Sequence, residues 1–87
     1  MRVKVLYRKS LKMTPSKMAS QVTHAVIGLG VSDLSCIIVV LGVSDTKFNE
    51  AYFSHDCYTH EDLGFTEVPA GTRTALAYFE ERHWWKR

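Results

Sequence analysis

The feature that most constrains the fold is an uninterrupted apolar run, CIIVVL at residues 36–41, within DLSCIIVVLGV at residues 33–43. The run is rich in β-branched residues, which favour extended backbone, and it is far shorter than the ~20 residues of a membrane-spanning helix. It therefore predicts a strand. A strand that is apolar at every position is typical of the centre of an α/β sheet, with both faces covered. We expect residues 33–43 to form such a central, doubly buried strand.

The segments around this strand alternate between strand and helix patterns. Thr14 has the residue type of a helix N-cap, and Pro15 suits the first helical position. A second helix is expected after Ser44 or Asp45, either of which can cap it. The predicted elements are a strand at 3–7, a helix from residue 15, a strand at 33–43, a helix at 44–55, a strand at 57–61, a loop at 62–72 and a strand at 72–79. This β-α-β-α-β-β order predicts a small α/β fold, with a mixed four-stranded sheet packed with helices.

Length and composition favour one ordinary globular domain. The chain has 87 residues, of which 46% are hydrophobic and 23% charged, so we expect residues 1–87 to form a single domain. Cys36 and Cys57 are too few for a disulfide framework, which favours a reducing compartment. The sequence shows neither a signal-peptide pattern nor an apolar segment long enough to span a bilayer. We therefore expect a cytoplasmic protein that does not associate with membranes.

Charge is distributed unevenly along the chain. Residues 1–17 carry six basic residues and no acid, whereas residues 18–72 carry one basic and seven acidic residues. A basic segment on a nearly neutral chain favours a local anion-binding surface. The alternative is a solvated edge strand whose charges protect it from pairing with other chains. Charge alone leaves these two interpretations open.

The first predicted helix carries a lysine where a helix disfavours one. With Thr14 as cap, Lys17 is the third helical residue, and a cation there opposes the helix dipole by ~0.3–1 kcal/mol. The free amides of a helix start, together with a lysine, make a natural anion site. At ~100° per residue, Lys17, Gln21 and His24 share one polar stripe. Beside this stripe lies an apolar face that can pack on a sheet, formed by Met18, Val22, Ala25, Val26 and Leu29.

Two separated segments together resemble the archaeal- and eukaryote-type peptidyl-tRNA hydrolases, and the resemblance spans most of the chain. RKSLKMTPSKMASQVTHA, residues 8–25, resembles the family's opening motif: a basic residue after strand one, then Leu-x-Met, then Gly-Lys-x-Ala-x-Gln-x-x-His-Ala. EDLGFTEVPAGTRTALA, residues 61–77, resembles its second motif, Asp-Ala-Gly-x-Thr-x-Ile-x-Pro-Gly-Thr-x-Thr. The matched residues are Lys17, Ala19, Gln21, His24, Ala25, Asp62, Gly64, Thr66, Gly71, Thr72 and Thr74.

The resemblance implies hydrolysis of the ester that joins a peptide to the terminal ribose of tRNA, with no cofactor or metal. Such a reaction needs a positioned nucleophile, a proton acceptor and a group that stabilises the oxyanion. By this resemblance Asp62 orients or deprotonates a water, Lys17 meets negative charge, and threonines hold the water or the ester. The implied catalytic residues are Lys17, Asp62, Thr66 and Thr72, and the implied substrate-binding residues are Arg8, Gln21, His24 and Gly71.

Structural roles are open for the same residues. Lys17 can reach solvent, Gln21 can bond loop backbone, and a histidine beside an apolar face is often structural. Asp62 can belong to an ordinary turn, and Thr72 can be an ordinary strand residue. An alternative function is a catalytically inactive RNA- or protein-binding module that keeps the fold, because Glu61 stands where the family has an arginine before the motif aspartate.

Two further groups of residues have weaker signals. His55, Cys57 and His60 are clustered, but three donors without a second pair are poor evidence for zinc. Trp84 and Trp85 can stack on the unpaired bases of a tRNA end. The favoured interpretation is that they pack against the domain or against a second copy, and the second case would give a homodimer.

Overall fold

The computed structural model describes residues 1–64 and 67–80. The predicted site residue Thr66 and the tail residues Trp84 and Trp85 lie outside the described residues. The elements in chain order are β1 (Arg2–Arg8), a 3-10 turn (Lys9–Leu11), α1 (Pro15–Leu29), β2 (Ile37–Val43), α2 (Asp45–Ser54), β3 (Cys57–Glu61) and β4 (Arg73–Phe79). The predicted α/β fold, with a mixed four-stranded sheet and two helices, is confirmed. Neither helix of the described part of the chain has the length and apolar character needed to cross a membrane.

The strands lie in the order β2-β1-β4-β3. β1 runs parallel to β2 and antiparallel to β4, and β3 pairs antiparallel with β4. β1 is therefore an inner strand, and its Val3 and Val5 are fully buried. Its charged residue Lys4 pairs with Glu80 at 3.1 Å, and Arg2 pairs with the same carboxylate. The interpretation of the basic N-terminal segment as a protected edge strand is thus wrong for β1.

The apolar run that predicted a central strand forms β2, which is an edge strand instead. Among the described strands its neighbour is β1 on one side only. Ile37, Ile38, Val40 and Leu41 are 55%, 46%, 40% and 41% exposed, respectively. The prediction of a strand at this position is confirmed, but the prediction of burial on both faces is wrong. Apolar composition indicates only that both faces of a strand are apolar. The position of the strand in the sheet depends instead on which other strands pair with its edges.

One helix packs on each face of the sheet. Because side chains alternate along a strand, Val3 and Val5 of β1 face α1, whereas Leu6 faces α2. The α1 side is formed by Val3, Val5, Ala25, Ala75 and Ala77, with Tyr7, Val22, Val26, Leu29, Val31 and Cys36 packed against them. The α2 side is formed by Leu6, Phe48, Ala51, Leu76 and Tyr78, with Val43, Tyr52 and Cys57. Most of the apolar face predicted for the first helix is therefore confirmed as its sheet-facing side.

Both helices begin at the predicted caps. The Thr14 hydroxyl accepts a bond from the Lys17 amide at 3.3 Å, and the Ser44 hydroxyl accepts one from the Lys47 amide at 3.2 Å. α1 ends at Gly30, whose φ of 91° is the left-handed conformation that glycine adopts without steric cost. These caps fix where α1 starts, and its first turn is placed against the end of β3.

Candidate functional site

A buried ion pair joins the first turn of α1 to the end of β3. Lys17 Nζ lies 2.6 Å from Asp62 Oδ1, and the two side chains are only 9% and 7% exposed. Asp62 Oδ2 accepts a bond from the Gly64 amide at 2.7 Å. The Lys17 hydrogen bond is the main cause that lowers the pKa of Asp62, with the Gly64 amide adding to it and burial opposing it. Asp62 is therefore an ionised carboxylate at neutral pH.

The backbone holds Asp62 between the two arms of the loop that joins β3 to β4. The Asp62 amide donates to the Thr72 carbonyl at 2.9 Å, and the Gly71 amide donates to the Asp62 carbonyl at 2.7 Å. A Cβ on Gly64 would lie 2.7 Å from the Ala70 amide nitrogen, so only glycine allows the arms to approach this closely. Gly64 and Gly71, both in the predicted loop at 62–72, thus set the position of the carboxylate.

A second carboxylate, Glu67, binds the start of α1. Its two oxygens accept bonds from the Thr14 amide at 2.9 Å and the Thr14 hydroxyl at 2.6 Å. These bonds lower the pKa of Glu67, and Lys17 lowers it further. Sequence reasoning did not single out this residue. One sequence feature could have indicated it: the first turn of α1 contains no acidic residue. An anion that binds the free amides of this turn therefore has to come from another segment.

The next residue of the polar stripe, Gln21, is held by a β-bulge in β4. His60 and Glu61 of β3 are consecutive, yet they pair with Ala75 and Arg73. The extra residue, Thr74, turns toward α1 and donates its hydroxyl to Gln21 Oε1 at 2.6 Å. Gln21 and Thr74 are both buried. The predicted substrate-binding residue Gln21 is thus a link between α1 and β4, one turn from Lys17.

The last residue of the stripe, His24, stacks on His60 of β3. The ring centroids are 4.6 Å apart and the planes differ by 10°. Burial lowers the pKa of His60, and the neighbouring His24 lowers it further, while Asp62 acts in the opposite direction. A neutral His60 at pH 7 lets the two imidazoles lie face to face. The stripe of Lys17, Gln21 and His24 therefore runs along the β3–β4 edge of the sheet.

The remaining predicted residues lie around a separate cavity. Among the described residues, the lining of this cavity of about 650 Å³ includes Arg8, Gly71 and Thr72, but neither Lys17 nor Asp62. Thr72 Oγ1 donates to the Pro69 carbonyl at 2.7 Å. The site predicted from the motifs is thus divided into the Lys17–Asp62 pair and a neighbouring cavity, with the loop at 69–72 between them.

Arg8 is held within that cavity by neighbours on the α2 side. Its Nε donates to Asp45 Oδ1 at 3.1 Å, and Nη1 donates to the Arg73 carbonyl at 3.0 Å. The Asp45 carboxylate also accepts from Ser10 at 2.6 Å, and together these bonds lower its pKa. Arg8 therefore presents a fixed guanidinium beside Gly71 and Thr72.

The three clustered metal-ligand types are not gathered at one point. His55 stacks on Tyr78 with centroids 3.8 Å apart, Cys57 joins the α2 side of the core, and His60 lies on the α1 side. Within residues 1–64 and 67–80, no three potential ligands are placed to hold a metal ion. Strand alternation explains the separation of Cys57 from His60.

Comparison with known proteins adds no relative: no protein-family model matches the chain, and no curated protein matches it significantly.

Proposed function

We propose that this chain hydrolyses the ester bond of peptidyl-tRNA or of another N-substituted aminoacyl-tRNA, releasing the peptide and free tRNA. The observation that carries the proposal is the meeting of the two motif segments, residues 8–25 and 61–77. The pair Lys17–Asp62 and the pair Gln21–Thr74 each take one residue from each segment. A buried lysine beside an ionised carboxylate also supplies two of the groups that ester hydrolysis needs.

In the proposed mechanism Asp62 accepts a hydrogen bond from the attacking water, and Lys17 faces the oxygen that becomes negatively charged. An ammonium group has three donors. One of them is used by Asp62, which leaves others for the tetrahedral oxyanion. Because Lys17 lowers the pKa of Asp62, this carboxylate is a weak base and acts mainly by orienting the water. The water oxygen forms the new bond to the carbonyl carbon and gives up a proton. The ester bond to the ribose oxygen breaks as that oxygen takes up a proton, so the step consumes one water and no proton is gained or lost overall.

The basic residues that precede α1 support binding of an anionic nucleic acid. Lys9 and Lys12 are exposed in the segment that leads to the helix, and Arg8 is fixed at the neighbouring cavity. Phosphate contacts by such residues give an affinity that falls as salt rises. tRNA is therefore the proposed partner, with His24, exposed about two turns from Lys17 on the same stripe of α1, as the residue proposed to contact a terminal nucleotide.

The chain offers a matched control for a test of Lys17. Lys47 is also the third residue of its helix and its amide also bonds the cap hydroxyl, but it is exposed and lies on α2. We expect Lys17→Ala and Asp62→Asn each to lower the turnover of N-acetyl-aminoacyl-tRNA at least ~10-fold, about 1.4 kcal/mol of transition-state stabilisation. Lys47→Ala should retain wild-type turnover. Full activity in a folded Lys17→Ala or Asp62→Asn variant would contradict the assignment.

A second candidate, a non-catalytic RNA-binding module, is favoured by two specific observations. The Lys17 ammonium is bonded to Asp62 and has the Glu67 carboxylate nearby, and the Thr72 hydroxyl donates to the Pro69 carbonyl of its own loop. Salt-sensitive binding of tRNA by a folded protein that leaves the ester intact would favour this candidate.

A further inference from the structure

The edge of the sheet formed by β2 is unusual in its composition. Ile37–Val43 contains neither a charged residue nor a proline. Natural edge strands use such residues to prevent pairing with another chain. Four of its side chains are 40–55% exposed, an apolar patch on the order of a few hundred Å². Within the described residues, β1 is the one strand that pairs with β2, and Val43 packs on the α2 side of the core. In that part of the chain, β2 thus combines an unpaired edge with exposed apolar side chains on both faces.

The backbone groups of this edge have a definite pattern. The Ile37 amide donates to the Met1 carbonyl of the β1 side, and β2 stays in register with β1 from Ile37 to Val43. Since successive residues in a strand point their amides in opposite directions, the amide and carbonyl groups of Ile38, Val40 and Gly42 face away from β1. These three residues are spaced symmetrically about Val40.

From this pattern we infer that β2 pairs with β2 of a second copy of the chain, antiparallel, about a two-fold axis that passes beside Val40. In this register Val40 faces its own symmetry mate, and Ile38 faces Gly42 of the partner subunit. The pairing closes about six backbone hydrogen bonds. Every opposed side-chain pair is apolar, so no like charges meet across the axis. The result is a continuous eight-stranded sheet.

The two-fold pairing also keeps the helices apart from the new interface. Opposed residues of an antiparallel pair lie on the same face of a sheet, so the α1 layers of both copies lie on one side. The Lys17–Asp62 pair lies at the β3 edge, three strands from β2, or roughly 14 Å at ~4.8 Å per strand. The dimer leaves both sites open at its outer ends. A contact between two single edge strands is small beside the ~800 Å² per partner of a standard interface, so we expect a weak dimer whose formation depends on protein concentration.

The test is analytical ultracentrifugation of the full chain at concentrations that span the micromolar range. Wild type is expected to pass from monomer to dimer, whereas Val40→Lys and Val40→Glu each place like charges across the axis and raise the dissociation constant at least ~10-fold. An equimolar mixture of the two variants should restore the dimer, because residue 40 of one copy then faces the opposite charge. Phe53→Lys, which alters an 82% exposed aromatic on α2, is the control and should dimerise as wild type does.

Several results would overturn the inference. A wild type that stays monomeric throughout excludes the pairing, and if its Ile38, Val40 and Gly42 amides resist hydrogen exchange, another segment of the chain covers the edge. Dimerisation that survives in Val40→Lys places the interface elsewhere. Folded Val40→Lys and Val40→Glu variants that fail to associate when mixed exclude the two-fold register centred on residue 40.

Discussion

Replacing Lys17 by methionine should destabilise the fold strongly, because it leaves the Asp62 carboxylate buried without its cation. Removing one partner of a buried ion pair costs about 3–5 kcal/mol. Asp62 keeps the bond from the Gly64 amide, so we expect the lower end of that range, about 3 kcal/mol. A domain of this length has a total stability on the order of 4–13 kcal/mol. The loss should therefore be measurable by urea unfolding followed by circular dichroism.

A double-mutant cycle separates the ion pair from the packing of the lysine stem. In Lys17→Met/Asp62→Asn the buried charge is absent, and the asparagine oxygen can still accept the Gly64 amide. The double variant should therefore be more stable than Lys17→Met alone, with a coupling free energy of about 2 kcal/mol. A coupling near zero would mean that the two side chains do not interact in solution.

The pH dependence provides an independent check of the same pair. In the wild type the folded-state pKa of Asp62 is lowered. The contribution of Asp62 to the free energy of unfolding is therefore present above its unfolded-state pKa of about 3.9, and it is lost as pH falls through the folded-state pKa. In Lys17→Met, burial without a cation should raise that pKa above the unfolded value. The stability deficit of the variant should then be largest at neutral pH and shrink as pH falls toward about 4. A loss of under about 1 kcal/mol at pH 7 would refute a buried, formed ion pair.

Three further substitutions test other contacts. Thr74→Val leaves the buried Gln21 oxygen without its donor and should cost about 1–3 kcal/mol, whereas adding Gln21→Leu should recover part of that loss. Gly28→Ala places a Cβ against the Tyr58 ring. That ring is 38% exposed and has to shift, so the variant should gain less stability in urea unfolding than the ~1 kcal/mol by which alanine is the better helix former. Glu67→Gln weakens the charged cap of α1 and should lower the urea midpoint at pH 7, with the difference vanishing in acid where the pKa of Glu67 is passed. An unchanged midpoint in Thr74→Val or Glu67→Gln, or a full gain of ~1 kcal/mol in Gly28→Ala, would contradict the contact concerned.

The helix caps and the element order follow from local sequence, and they were predicted because their causes are local. The Thr14 and Ser44 hydroxyls each accept a bond from an amide three residues further on, and Pro15 takes the first helical position. The position of β2 was predicted wrongly because it depends on long-range strand pairing. An all-apolar strand has the same local composition at the centre of a sheet as at its edge, so composition cannot distinguish the two.

The two lysines in the first turns of α1 and α2 show why the site could be predicted only in part. Lys17 and Lys47 occupy the same position relative to their helix caps, yet one is buried against Asp62 and the other is exposed. An unfavourable lysine in a first turn is therefore not sufficient evidence for a site. The motif pattern indicated that residues 17 and 62 belong to one site. The contact of Glu67 with Thr14 could not be predicted, because it depends on the loop conformation, which includes a φ of 56° at Glu67.

Release of labelled N-acetyl-aminoacyl groups from tRNA by the purified wild-type chain, measured beside Asp62→Asn, decides whether the chain is a hydrolase. We expect release well above the rate without protein, and loss of that release in the variant while salt-dependent tRNA binding remains. A folded wild-type chain that binds tRNA but releases nothing would contradict the hydrolase assignment.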